Sequence, residues 1–175
     1  MKVLGAILAG GGSTRFGSDK AIALFHGRSL LEHAASCLSL QCDAIVVVGR
    51  THASLPCAED LPAPGMGPLG GIAGAIAFAQ SSGFDHVLSI GVDTLDIPAD
   101  LRGQLVPAPA YVIKQPVIGL WPVSVGELLA QILGSNDRHS MRHFAESLGA
   151  RAVTLANEPA NINTQSDLAE LEARK

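Results

Sequence analysis

The stretch KVLGAILAGGGSTRFGSDK, residues 2–20, decides the architecture. Its first half, Lys2–Ala9, is an apolar run without polar alternation, the pattern of a strand buried on both faces. Its second half, Gly10–Lys20, is a loop that opens on three glycines and carries Arg15 and Lys20. A strand buried on both faces needs helices above and below, and the downstream sequence supplies them. Ser29–Leu40 sets Leu30, Leu31, Ala34, Ala35 and Leu38 at helical spacing. Asp43–Val48 (DAIVVV) is a second buried strand, Leu69–Gln80 a helix rich in small residues, and Asp85–Ile90 (DHVLSI) a third strong strand, with a short strand at Leu55–Ala58. Pro98 suits the first turn of a helix running to about Val106. Ala110–Ile113 and Val117–Leu120 read as strands around a tight connection at Lys114–Pro116. Val123–Leu133 and Arg138–Leu148 read as helices and Arg151–Leu155 as a strand. Thr164–Ala173 is a closing helix with Thr164 or Ser166 as N-cap. The expected class is α/β: a three-layer arrangement with a mostly parallel sheet covered on both faces, in one domain spanning residues 1–175.

The 175 residues suffice for one full core and would be cramped for two. With 47% hydrophobic and 16% charged residues, the chain is expected to fold rather than remain disordered. A net charge of −4 argues against a general nucleic-acid binder. No apolar run reaches membrane-spanning length, and no cleavage pattern precedes the glycines, so a cytoplasmic, membrane-free location is expected. Cys37, Cys42 and Cys57 are odd in number and lack CxxC spacing, which fits reduced thiols in that compartment.

In parallel sheets ligands gather beyond the carboxyl ends of the strands. The loop after the first strand can turn several backbone N–H groups toward one point, a nest for phosphate oxygens, with Arg15 and Lys20 adding two cations. It is not a P-loop, because Gly17 is followed by Ser18 rather than Lys. A literal GxGxxG at Gly65–Gly70 follows no strand and is a weak match. Gly67, Gly70, Gly71 and Gly74 instead mark a closely approached helix, facing either a ligand or a neighbouring element. In GVDTLDIP (residues 91–98), Asp93 stands just past a buried strand. A carboxylate facing a phosphate site needs a cation between them, and Mg²⁺, which takes one or two carboxylates plus phosphate oxygens, is the natural one. Asp96 stays open between a second ligand and a turn or cap before Pro98. His139 and His143 are four apart on a helix but have no evident third ligand. Trp121 and Tyr111 read as packing residues, and Lys114 either lines the cleft or solvates its loop.

These motifs carry a resemblance. LAGGGSTRFGSDK (residues 8–20) resembles the LAGGxSxRMGxDK signature of the molybdenum cofactor guanylyltransferase family. GPLGGI (residues 67–72) resembles its GPLAGI, GVDTLDIP its CDxPxLP segment, and NINTQSDLAEL (residues 161–171) its closing NVNTPEDL. The resemblance implies a nucleotide-diphospho-sugar-transferase-like, Rossmann-like α/β fold. It also implies Mg²⁺-dependent transfer of GMP from GTP to molybdopterin, with release of pyrophosphate. It gives Leu8, Ala9, Gly10 and Gly11 the guanine and ribose side, through backbone groups. Lys20 is given the phosphates and Arg15 the bracing of the loop and the leaving pyrophosphate. Asp60 becomes a nucleotide contact, Asp93 a nucleotide and metal ligand, and Asn161 and Asn163 residues of the pterin side. A protein delivering molybdopterin and molybdoenzymes receiving the product are the partners it implies. The chain departs from the pattern at Phe16 (for Met), at Gly49 (where some members have Asn) and at Gly91, Val92 and Leu95 around the aspartate. The alternatives are a cytidylyltransferase for the same pterin, a sugar-phosphate nucleotidyltransferase, and a non-enzymatic nucleotide-binding regulator. LAGG with GPLGG resembles the GTP-using branch.

Overall fold

The computed structural model describes residues 1–11, 16, 19–135 and 139–174. The elements in chain order begin with β1 (Val3–Leu8), a 3-10 turn (Lys20–Ile22), β2 (Leu24–Phe25), β3 (Arg28–Ser29), α1 (Leu30–Ser39), β4 (Ala44–Val48) and β5 (Cys57–Ala58). Next come α2 (Gly67–Ser81), β6 (His86–Gly91), β7 (Thr94–Leu95), α3 (Leu101–Gln104), β8 (Ala110–Val112) and β9 (Gly119–Pro122). After a second 3-10 turn (Val123–Val125), the chain closes with α4 (Gly126–Gly134), α5 (Met141–Ser147), β10 (Arg151–Val153), β11 (Ala160–Asn161) and α6 (Gln165–Ala173).

Seven strands form the central sheet in the order β10-β8-β9-β6-β1-β4-β5. β9 is antiparallel to both its neighbours, and the remaining pairings are parallel. Alternate residues of β1 feed two cores. Val3 and Ile7 pack with Leu31 and Leu38 of α1, whereas Leu4 and Ala6 pack with Leu69, Ile72 and Ile76 of α2. Each of these side chains is at most 5% exposed, so β1 has no solvent face and its sequence shows no alternation. A third, small cluster joins Phe16 to Phe25, Leu30, Leu95 and Ile162, with Leu168 and Leu171 of α6 against it. Phe16, where Met is the usual residue, is 3% exposed there and ties the first loop to the closing segment.

Several elements differ from expectation. The helix expected from Pro98 to Val106 shrinks to α3, because Pro107 disfavours helical backbone at Val106 and Gly103 weakens the interior. β9 lies two residues later than expected. Trp121 buries fully, with its indole over Gly119 and its Nε1 donating to Ser89 Oγ at 2.9 Å, and that burial sets the register. Expected packing roles for Trp121 and Tyr111 therefore hold. α5 starts at Met141 behind an Ser140 N-cap, and Arg138 lies outside the described residues. Thr164 is the N-cap of α6, in a capping box with Asp167. The antiparallel pairs β2–β3 and β7–β11 are additions that periodicity did not signal.

Candidate active site

Register brings the three strongest loops to one level. Leu8 pairs with Val48 on one side and Gly91 on the other, so Ala9, Gly49 and Val92 leave the sheet side by side. Beside this strand edge, from Leu8 and Gly91 outward, lies a cleft of about 350 Å³. Gly10, Gly11, Asp60 and Gly67 line its β4–β5 flank, and Lys114 to Val117 line the β8–β9 flank, with Asp93 and Asn161 also contributing. A smaller recess of about 100 Å³ shares Leu8, Gly11 and Asp93 with the cleft and adds Ala9, Asp19 and Lys20.

At the junction, Lys20 Nζ lies 3.1 Å from Asp93 Oδ2 and 3.4 Å from Asn163 Oδ1. Asp93 can bend back over Gly91 because a Cβ there would stand 2.6 Å from its Oδ1. This accounts for glycine at that departure from the family pattern. The closing segment is fastened to the same loop: Asn161 pairs with Thr94, and the Ile162 amide donates to the Asp93 carbonyl at 2.9 Å. Asp167 accepts from the Asn163 and Thr164 amides, each at 2.8 Å, and these bonds hold its carboxyl below the usual range. Lys20 opens the first 3-10 turn, whose N-cap Asp19 accepts from the Ala21 amide and from Arg50 Nη1 at 2.8 Å. The Arg50 hydrogen bond is the main reason that Asp19 titrates below its ordinary value.

Asp60 is 9% exposed, and among the described residues its carboxylate takes one long bond, 3.4 Å from the Gly65 amide. It sits where two glycines meet. A Cβ on Gly49 would lie 2.5 Å from Gly10 Cα and 3.1 Å from Asp60 Oδ1. Glycine at 49, at φ +83°, thus serves the close approach of two loops. The α2 glycines divide. Gly70 and Gly74 fit against the backbone of Leu61 and Glu59, whereas Gly67 and Gly71 line the cleft.

Of the residues expected in the site, Leu8, Gly10, Gly11, Asp60, Asp93 and Asn161 line the cleft. Ala9 and Lys20 line the recess, and Asn163 reaches Lys20. Arg15 lies outside the described residues. Asp96 takes a left-handed turn position at φ +58° and does not line either cavity, which favours the turn reading. His139 Nε2 contacts the Ser135 carbonyl, and no cluster of three metal-binding side chains occurs among the described residues. Lys114, left open between the cleft and its loop, lines the cleft, and Gln115, Thr94 and Arg50 are additions. Lys114 follows the carboxyl end of β8, a strand that points the same way as β6, and that position is the signal that places it at this edge.

A glycine-lined cleft at the carboxyl edge of a mostly parallel sheet, with a lysine–carboxylate pair where it meets a smaller recess, is the site of a nucleotide-handling α/β enzyme. Residues 5–154 match the family model described as MobA-like NTP transferase domain. The chain is 36% identical over 181 residues to the molybdenum cofactor guanylyltransferase of Acidiphilium cryptum, covering 95% of this chain and 92% of that protein. It is 33% identical over 192 residues to the enzyme of the same name from Rhizobium leguminosarum, covering 98% and 92%. Molybdopterin-guanine dinucleotide biosynthesis protein A from Archaeoglobus fulgidus superposes with a TM-score of 0.75 at 19% identity, covering 98% and 97%, and shares the nucleotide-diphospho-sugar transferase fold. The chain belongs to the molybdenum cofactor guanylyltransferase family of nucleotidyltransferases.

Proposed function

We propose that the protein transfers GMP from GTP to the phosphate of molybdopterin and releases pyrophosphate. The carrying observation is the ion pair between Lys20, which lines the recess, and Asp93, which the recess shares with the cleft, because joining two phosphorylated substrates needs a seat for each and a cation where their phosphates meet. The β4–β5 flank suits the nucleotide. A carboxylate is an acceptor only, so Asp60 matches the adjacent N1–H and 2-amino donors of guanine and opposes the ring acceptors of adenine and cytosine. By resemblance, Leu8, Gly10 and Gly11 of the cleft and Ala9 of the recess offer backbone groups to guanine and ribose, and Asn161 of the cleft serves the pterin.

The acceptor phosphate is already ionised near neutral pH, so the chain need supply no base. An acceptor oxygen bonds to the α-phosphorus as the α–β bridging bond breaks, and the electron pair leaves with pyrophosphate. Lys20 turns from Asp93 to the phosphates, where a hydrogen bond between charged groups contributes about 1.5–3 kcal/mol. Arg15, by resemblance, meets the leaving group. Asn163 holds Lys20 on the recess side.

Mg²⁺ fits this arrangement. The position beside Asp93 already receives a cation, Lys20 Nζ at 3.1 Å. One carboxylate without a protein cage suits an ion that completes its shell with phosphate oxygens and water. Asp93 would hold it, and it would neutralise charge on the phosphate oxygens. A cytoplasmic location, a single domain, and hand-over from a molybdopterin-delivering protein to molybdoenzymes belong to the same proposal. No described helix is long and apolar enough to cross a membrane.

The test is a thermal-shift panel of GTP, CTP, ATP and UTP, each with and without Mg²⁺, followed by pyrophosphate release with molybdopterin. GTP with Mg²⁺ is expected to give the largest shift. Asp93→Asn is expected to abolish the Mg²⁺ increment and most turnover while keeping the melting temperature. Equal shifts with all four nucleotides, or full turnover by Asp93→Asn, would refute the proposal.

A further inference from the structure

The two walls of the cleft differ in charge. Lys20 stands at the recess, beside Asp93 and Asn163. On the other flank the β8–β9 connection presents Lys114, Gln115, Pro116 and Val117. Lys114 is the one basic side chain lining the cleft among the described residues. Its Nζ lies 2.8 Å from Glu158 Oε1 and 2.9 Å from Oε2, so a single carboxylate straddles the ammonium. Next to it, Gln115 Nε2 donates to the Pro159 carbonyl, which holds the 158–159 segment against the same turn.

We propose that Lys114 binds the phosphate of the acceptor substrate, and that Glu158 is a resting counter-ion which that phosphate displaces. The inference rests on the transfer reading above and adds the acceptor-selecting residue. An acceptor phosphate must approach an α-phosphate that is itself anionic, so the acceptor wall needs a cation of its own. Lys20 cannot serve both walls, because it stands in the recess, held by Asp93 and Asn163, where the transfer reading gives it the nucleotide phosphates. Lys114 and Glu158 are 69% and 40% exposed, and an ion pair so exposed is weakly held and readily exchanged. A phosphate dianion outcompetes the single charge of Glu158, and a neutral acceptor does not. The pair therefore favours phosphorylated acceptors over their dephosphorylated forms.

The alternative is a tie that merely fastens the turn to residues 158–159, and the two readings differ in sign. If the pair were only a tie, Lys114→Ala and Glu158→Gln would shift activity and melting temperature in the same direction. If Lys114 binds the acceptor, removing its competitor strengthens binding. Steady-state kinetics on the full chain, with GTP, Mg²⁺ and molybdopterin, reads this directly. Lys114→Ala is expected to raise the molybdopterin KM by about 10- to 100-fold. Its GTP Kd by calorimetry is expected to match the parent's. Glu158→Gln is expected to lower the molybdopterin KM by up to about 5-fold. Lys114→Arg is expected to keep most of the affinity and serves as the variant that preserves folding. An unchanged molybdopterin KM in Lys114→Ala, or a raised one in Glu158→Gln, would overturn the assignment. Absence of transfer and of GTP binding in the parent protein would instead overturn the functional reading beneath it.

Discussion

Gly49→Ala tests the geometry of the nucleotide wall most directly. Gly49 has φ +83°, and an added Cβ would stand 2.5 Å from Gly10 Cα and 2.8 Å from Gly10 N. Both neighbours are backbone, so no flexible side chain can yield. Ordinary contact begins at 3.4 Å, which leaves the loops to separate by about 1 Å. Left-handed backbone at a non-glycine residue costs about 1–3 kcal/mol. In a chain of this length that lowers the melting temperature by about 2–12 °C. Gly83→Ala supplies the control. Gly83 has φ +74° but open space around its Cβ position, so it carries the backbone cost without the collision. The decisive difference is in the ligand. A wall displaced by about 1 Å loses a hydrogen bond to the ligand, about 1.5–3 kcal/mol where a charged group such as Asp60 takes part, so Gly49→Ala is expected to weaken GTP binding by about 10- to 100-fold. Gly83→Ala should leave it intact. Calorimetry with GTP and Mg²⁺, paired with thermal melts, measures both. Parental GTP affinity in Gly49→Ala, with a melting temperature no lower than that of Gly83→Ala, would refute the claim that the Gly10–Gly49 contact shapes the site.

Arg50→Ala removes the guanidinium that bonds Asp19, so the Asp19 carboxyl is expected to titrate closer to 3.8 in an NMR titration, and the GTP Kd is expected to rise as the turn bearing Lys20 loosens. Because the folded-state value is depressed, the stabilisation from this group is present above the usual carboxylate range and is lost as pH falls through the folded-state value. The acid limb of the pH–stability curve should therefore be shallower in Arg50→Ala. Cys42, whose thiol burial pushes up to about 12, is expected to resist alkylation at pH 8, whereas exposed Cys57 reacts first. Mass spectrometry of the modified peptides checks the order. His86, whose value burial lowers, should remove stability as pH falls below about 6.5, and a pH series of melts on His86→Gln should show a smaller loss.

What the sequence revealed, and what it concealed, follows from where each signal is carried. β1, β4 and β6 were legible because strands covered on both faces must be apolar throughout, and that run is a local property. The site residues on the ends of those strands came with them, since parallel register fixes Leu8, Val48 and Gly91 at one level. Asp60 and the closing asparagines rested on the family resemblance alone. Two-residue strands such as β7 and β11 carry no period, so the bond between the closing segment and the Asp93 loop was invisible along the chain. The α2 glycines were ambiguous for a related reason. Whether Gly70 meets a ligand or a backbone depends on Leu61, which another segment supplies. Arg50 was hidden, and Lys114 left undecided, in the same way, because the carboxylates that give them meaning, Asp19 and Glu158, sit in loops distant along the chain. Each of these two cations is paired with an acid from a different loop. Exposed pairs of this kind cost little to exchange when a more highly charged phosphate arrives.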